Sequence, residues 1–107
     1  MTKEEIDISG NGLEAIPEEL FKLRYIKAIN AGFNLLKDWD DVPMQLEKLV
    51  INDNKFLDIT GYVTQMMKLK WLDLSNNVIP IVSPLHRVQS IEYLFMRQNK
   101  VNLLSSR

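Results

Sequence analysis

Few side chains in this sequence could form a catalytic nucleophile and its base. The chain has one histidine, His86, and no cysteine. Nucleophilic catalysis by serine needs a base within hydrogen-bonding reach. Ser9 and Ser75 fall at the ends of predicted strands, whereas His86 falls in a connecting segment that the apolar pattern assigns to the opposite surface. The sequence therefore predicts no serine–histidine pair, and we expect a protein that is not an enzyme.

A bound cation is the second kind of chemistry to test. Asp73, Ser75 and Asn77 have the spacing of the first half of a calcium-binding loop. Val78 stands where that loop needs glycine, and Pro84 stands where it needs glutamate. The loop is therefore incomplete, and we expect no metal site.

Two weaker signals remain. Asp38, Asp40 and Asp41 could hold a cation loosely, although such an acidic run is more typical of a solvated loop. Gly10 and Gly12 have neither the third glycine nor the following helix of a dinucleotide-binding fingerprint. We expect no cofactor.

Composition narrows the classes of partner. The 107 residues include 13 Lys and Arg against 14 Asp and Glu, a net charge of −1, so the positive surplus that attracts phosphate backbones is missing. The apolar runs are far shorter than the roughly 20 residues that cross a bilayer. We expect one domain over residues 1–107, in the cytoplasm or alternatively the nucleus, with neither nucleic acid nor membrane as partner.

The elements that would position any functional side chain follow a repeat. Apolar residues recur at positions 1, 4, 6, 11 and 14 of a template with asparagine at position 9, and copies start at residues 3, 26, 46, 69 and 91. Apolar residues fill all but one of the twenty-five template positions, the exception being Lys3. Chance does not produce this regularity in a chain that is 46% hydrophobic.

Each copy has a physical explanation. Positions 4 and 6 are two residues apart, so a short strand buries both and exposes positions 3, 5 and 7. The chain must then turn, and a buried asparagine can satisfy the unpaired backbone groups of the turn. Stacked copies therefore predict a structural ladder of five asparagines, namely Asn11, Asn34, Asn54, Asn77 and Asn99.

This pattern resembles the leucine-rich-repeat family over residues 3 to 104, with a repeat of 20 to 23 residues. The resemblance implies an α/β fold: a right-handed solenoid of about five repeats, with a parallel β-sheet on the concave face and short helices or irregular turns on the convex face. It also implies protein binding, as in intracellular adaptors and regulatory subunits, without indicating which protein is bound.

The connections between strands differ from one another. Residues 17–25 begin with Pro17 at a natural first helical position, and residues 61–70 carry apolar residues at helical spacing, so both predict short helices. The other connections contain prolines that favour irregular turns. We expect the core to be completed from this side by Leu20, Leu23, Val63, Met66 or Met67, Leu85 and Val88, and Trp39 to pack in the core.

The predicted binding site lies on the concave face, which positions 3, 5, 7 and 8 of each repeat form. Trp, Tyr and Arg are the side chains most enriched at binding hot spots, and neighbouring strands lie about 4.8 Å apart. A contiguous patch is therefore predicted at Val50, Asn52, Trp71, Asp73, Tyr93, Phe95 and Arg97. We call these seven residues the aromatic patch; the competing interpretation is that its rings only cover the sheet.

The concave face as a whole is small, because five strands span only about 24 Å. A peptide, helix or loop fits it better than a broad globular surface. The sequence offers no polar cap after repeat five, where Leu103 and Leu104 occur, so a homodimer through the C-terminal repeat is a further expectation, with a monomer as its rival. Two alternative functions stay open: a self-assembling structural element, and a repeat segment of a larger enzyme or receptor.

Overall fold

The computed structural model describes residues 5–38, 45–57, 63, 65–79 and 90–99. Within them the chain forms five strands of three residues each, β1 (Glu5–Asp7), β2 (Ala28–Asn30), β3 (Lys48–Val50), β4 (Trp71–Asp73) and β5 (Tyr93–Phe95). The strands build one parallel sheet in chain order. This is the architecture of a solenoid, in which each repeat contacts its neighbours.

The register of the sheet equals the register of the sequence repeat. Glu5 pairs with Ala28, Ala28 with Lys48, Lys48 with Trp71, and Trp71 with Tyr93. All five residues occupy position 3 of their repeats, so equal template positions lie side by side. The predicted parallel sheet and its register are confirmed.

The core lies on the face of the sheet made by positions 4 and 6, together with residues from the return segments. In the described part of the chain its fully buried side chains include Ile26, Ile29, Ala31, Leu36, Leu46, Leu49, Ile51, Phe56, Leu69, Leu72, Leu74 and Ile79. Burial falls at the terminal repeats: at position 4, Leu49 and Leu72 are 2% and 0% exposed, whereas Leu94 is 39% exposed.

An asparagine ladder joins one repeat to the next behind the strands. The Nδ2 group of Asn54 donates to the carbonyls of Ile51 and Asn52 in its own repeat, at 3.2 and 3.1 Å, and to Ala31 in the preceding repeat, at 3.0 Å. Its Oδ1 atom accepts the backbone N–H of Leu36 at 2.9 Å. One buried side chain thus satisfies turn groups of two repeats.

The other asparagines repeat this arrangement. Asn34, Asn77 and Asn99 each donate to carbonyls of their own and the preceding repeat and accept a backbone N–H from that preceding repeat. Asn11, in the first repeat, is exposed; its Nδ2 group donates to Ile8 and Ser9 of its own repeat, and its backbone N–H donates to Asn34 Oδ1 at 2.9 Å. The ladder accounts for asparagine at position 9 by scaffold chemistry.

The structure of the return segments confirms some of the predictions made for them from the sequence. A 3₁₀ helix spans Glu18–Lys22, but Pro17 precedes it with an extended ψ of 131° and accepts the Leu20 N–H at 3.1 Å, so the expectation that this proline is the first helical residue is wrong. Met66 rather than Met67 enters the core: Met66 is 1% exposed and Met67 is 82% exposed.

Other predicted core residues have different outcomes. Val63 is 1% exposed, and Leu20 and Leu23 are partly buried and pack against the core. Trp39, Leu85, His86 and Val88 lie outside the described residues. Among the helices in the described segments, none is long and apolar enough to cross a membrane.

Candidate functional site

Two rows of side chains run across β3, β4 and β5 on the concave face. Position 3 places Lys48, Trp71 and Tyr93 side by side, and position 5 places Val50, Asp73 and Phe95 side by side. Alternate residues of a strand point to the same face, so both rows lie opposite the core. Five residues of the predicted patch, Val50, Trp71, Asp73, Tyr93 and Phe95, are therefore neighbours in the sheet, whereas Asn52 and Arg97 follow their strands.

Trp71 is the centre of the aromatic patch. Its ring centroid lies 5.0 Å from that of Tyr93, at an interplanar angle of 40°, and 5.1 Å from that of Phe95, at 41°. Tilted ring pairs at this separation contribute about 0.5–1.5 kcal/mol each beyond area burial. Tyr93 nevertheless stays 53% exposed and Phe95 38% exposed. The rings both cover the sheet and present an apolar surface to solvent.

Lys48 extends the patch beyond the residues named from the sequence. Its Nζ atom lies 4.9 Å from the centroid of the Trp71 ring, a cation–π geometry. The signal for this contact was present in the register, because Lys48 and Trp71 both occupy position 3 of adjacent repeats. The sequence does not specify how a flexible lysine side chain packs, and for that reason the contact was missed.

The backbone N–H at position 7 has a special role on this face. The carbonyl at position 6 of the preceding repeat accepts a hydrogen bond from the asparagine ladder. The backbone N–H at position 7 does not bond to that carbonyl and needs another acceptor. In three repeats the side chain at position 5 supplies it, at 3.0, 3.1 and 2.9 Å respectively: Asp7 for Ser9, Asn30 for Gly32 and Asp73 for Ser75.

The two remaining repeats have an apolar residue at position 5, so they lack this cap. In repeat five, where that residue is Phe95, the N–H of Arg97 donates instead to the Ser75 hydroxyl at 3.2 Å. In repeat three, where it is Val50, no acceptor for the N–H of Asn52 is found among the described residues. Val50 and Phe95 are therefore apolar at positions where a capping residue would serve the scaffold.

Asn52 is held by its neighbours. Its Nδ2 group donates to Asp53 Oδ2 at 2.7 Å, and the same oxygen accepts from Asn76 Nδ2 at 3.3 Å. A Cβ atom at the buried Gly32 would overlap the side-chain oxygen of Asn52. The glycine thus leaves room for Asn52, and this edge of the patch has a defined shape.

Position 8 closes the concave face with a left-handed turn in every repeat. Gly10, Phe33, Asp53, Asn76 and Gln98 all have φ between 55° and 67°. Glycine, asparagine and aspartate tolerate this conformation, whereas a bulky residue is strained in it. Phe33 is also 63% exposed, so little burial compensates for the strain at this position.

The described residues were also compared with the requirements of a metal site. No group of three or more histidine, cysteine, aspartate or glutamate side chains in these segments could hold a metal ion. Ser9 donates its hydroxyl hydrogen bond to Asp7 at 2.6 Å. In repeats three to five the concave face carries aromatic surface, two cations and a set of hydrogen-bonding groups.

A short-repeat parallel solenoid with an internal asparagine ladder and an aromatic concave face defines a class of repeat proteins. The sequence profile described as "Leucine rich repeat" matches residues 44–101, which is more than half of the chain. The chain belongs to the leucine-rich-repeat family.

Two curated proteins illustrate the sequence similarity of this chain to known relatives. An acidic leucine-rich nuclear phosphoprotein 32 family member A from Drosophila pseudoobscura pseudoobscura is 31% identical over 87 residues, which cover 78% of this chain and 33% of that protein. A protein phosphatase 1 regulatory inhibitor subunit homolog from Arabidopsis thaliana is 28% identical over 107 residues, covering 92% of this chain and 32% of that protein. The chain thus spans about a third of the length of the curated relatives it matches.

Solved structures show the same fold. An internalin C2 from Listeria monocytogenes superposes with a TM-score of 0.79 at 20% identity, over 95% of this chain and 45% of the internalin. A second internalin from the same organism gives a TM-score of 0.78 at 22% identity, over 92% of this chain and 29% of that chain. At this level of identity the likeness defines the fold alone.

Proposed function

We propose that this chain is a non-catalytic protein–protein interaction module, an adaptor or regulatory subunit, that binds a protein or peptide segment on its concave face. The observation that carries the proposal is the partly exposed cluster of Trp71, Tyr93 and Phe95. Large rings with fixed neighbours lose little conformational freedom on binding, and exposed aromatic clusters mark interaction surfaces.

The groups around the rings support this assignment. Asp73 accepts the Ser75 N–H, and Asn52 donates to Asp53. Trp71 contacts the rings of Tyr93 and Phe95 and the ammonium group of Lys48. A surface arranged in this way needs little ordering when a partner docks, which lowers the entropic cost of binding. Arg97 at the margin of the patch adds a polar contact that can set orientation.

The relatives also favour a regulatory role within the cell. One carries the name of a phosphatase regulatory inhibitor subunit homolog and another that of a nuclear phosphoprotein. By analogy, we place this chain in the cytoplasm or nucleus, acting on another protein without catalysing a reaction. Microscopy of the tagged chain tests this location, and an exclusively extracellular or membrane distribution would contradict it.

The test of concave-face binding is a double variant, Trp71→Ala with Phe95→Ala. We expect affinity for a captured partner to fall by a factor of about 30 or more, since loss of even one hot-spot side chain typically costs about 2 kcal/mol. Met67→Ala is the matched control, because Met67 is a large, 82% exposed apolar side chain on a return segment. Equal capture by the double variant and by the control would contradict the proposal.

A second candidate, self-association through repeat five, is favoured by one observation. Leu94 is 39% exposed at a template position that is 0–2% exposed in the central repeats. A second copy that covers this edge would bury the leucine side chain and pair the edge of β5 that no described strand covers. Light scattering at two protein concentrations about twentyfold apart tests it; a constant monomeric mass would exclude it.

A further inference from the structure

Two cations, Lys48 beside the aromatic patch and Arg97 within it, have no carboxylate partner among the described residues. Lys48 lies over the Trp71 ring, and Arg97 is exposed two residues after Phe95. Neither makes an ion pair in the described part of the structure. Both charges are therefore available to groups of a bound segment.

The carboxylates of the same surface are engaged differently. Asp73 Oδ1 accepts the Ser75 N–H at 2.9 Å, and Asp53 Oδ2 accepts two side-chain amides at 2.7 and 3.3 Å. Their acceptor capacity is partly used by the scaffold. The Arg97 guanidinium and the Lys48 ammonium, by contrast, make no hydrogen bond or ion pair within the described segments.

Ser75 adds a donor next to Arg97. In repeat one the equivalent serine, Ser9, donates its hydroxyl proton to Asp7 at 2.6 Å. Ser75 makes no such bond to Asp73 in the structure; its oxygen instead accepts the N–H of Arg97 at 3.2 Å. The Ser75 hydroxyl proton thus has no acceptor among the described residues, and the hydroxyl lies against the backbone of Arg97. A hydroxyl donor and the guanidinium of the same neighbouring residue together suit a carboxylate.

We propose that the segment bound on the concave face carries an aspartate or glutamate side chain beside an apolar anchor. The apolar group covers Trp71, Tyr93 and Phe95, and the carboxylate binds the Arg97 guanidinium and the Ser75 hydroxyl. This inference rests on the proposed function, because it specifies the chemistry of a partner for the same face.

The spacing of the chain limits how these two groups are arranged in the partner. Arg97 follows the end of β5 and is two residues from Phe95, so their Cα atoms are at most about 7 Å apart. An extended peptide places residues i and i+2 at that separation, and a helix brings i and i+3 or i+4 to a similar distance. The partner motif therefore has its acidic residue two to four positions from its anchor.

The experiment is a selection of random 12-residue peptides displayed on phage, carried out with the wild-type chain and with three variants. We expect wild type to enrich peptides that combine an apolar residue with Asp or Glu at a fixed offset, and Trp71→Ala to lose them. Arg97→Glu should replace the acidic residue by Lys or Arg. Arg24→Glu, at an exposed arginine outside the patch, is the charge-matched control and should select the wild-type motif.

Binding constants of one selected synthetic peptide complete the test. Changing its acidic residue to the amide should weaken binding to wild type about tenfold, the size of a lost charge-assisted hydrogen bond, and change binding to Arg97→Gln little. Trp71-dependent peptides without acidic preference would overturn this inference while leaving the proposed function in place. Failure to select any Trp71-dependent peptide, or a dimer abolished by Trp71→Ala, would overturn both.

Discussion

Asn54→Ala is the sharpest test of the asparagine ladder. The substitution removes four hydrogen bonds at once, one accepted by Oδ1 and three donated by Nδ2. The side chain is only 7% exposed, so water has little access to the groups left behind. The consequence depends on which of those groups has a second partner.

The carbonyls keep other donors, whereas one N–H does not. The Ala31 carbonyl also accepts from Asn34, and the Ile51 carbonyl also accepts from Asn77. The N–H of Leu36, in a residue with 0% exposure, loses its acceptor. A buried unsatisfied donor costs about 1–3 kcal/mol, and the lost bonds of the carbonyls add to this, so we expect a loss of about 2–4 kcal/mol in the free energy of unfolding.

Asn11→Ala is the control, because it changes the same residue type at the same template position. Asn11 is exposed, donates to two carbonyls of its own turn and has no repeat before it in the ladder. We expect it to lose less than about 1 kcal/mol, since its turn stays solvated.

Urea unfolding followed by circular dichroism measures both variants. A change of midpoint at constant slope reports stability, provided that unfolding is two-state. Losses within about 1 kcal/mol of each other would refute the interpretation that buried backbone satisfaction, rather than asparagine itself, gives the ladder its strength.

The remaining predictions concern two concave-face residues that the scaffold does not favour. Phe33→Asn should stabilise the chain by about 0.5–1 kcal/mol in thermal unfolding, because asparagine tolerates the left-handed turn; Phe33→Leu keeps the strain and should give no gain. Val50→Asn can cap the N–H of Asn52 as Asn30 caps Gly32, whereas Val50→Gln is one carbon too long. We expect the Asn variant to be the more stable by about 1 kcal/mol, and the reverse order would contradict the capping explanation.

The fold was predictable from the sequence because burial and hydrogen bonding impose a strict period on it. Positions 4 and 6 had to be apolar, and position 9 had to satisfy a turn, so the same residue types recur. That constraint defined the strand register, from Glu5 in β1 to Tyr93 in β5. The choice between Met66 and Met67 needed coordinates, because adjacent methionines on an irregular return segment have no such period.

The site was predictable only as a set of neighbours. Register alone brings Trp71, Tyr93 and Phe95 together. It does not reveal the lysine over the ring, or that the Ser75 hydroxyl accepts from the following repeat instead of donating to Asp73. Those contacts depend on side-chain rotamers, which several neighbours determine jointly and which no template position specifies.

The side chain at position 5 can accept the backbone N–H of position 7, and the repeats differ in whether it does so. Asp7, Asn30 and Asp73 each satisfy an N–H two residues later, so a polar residue at that position contributes to stability. Val50 and Phe95 omit that contribution, and both belong to the aromatic patch. A repeat that needed only to stack would gain from the cap at every copy. Under the proposed function, contact with a partner accounts for the apolar residues in repeats three and five.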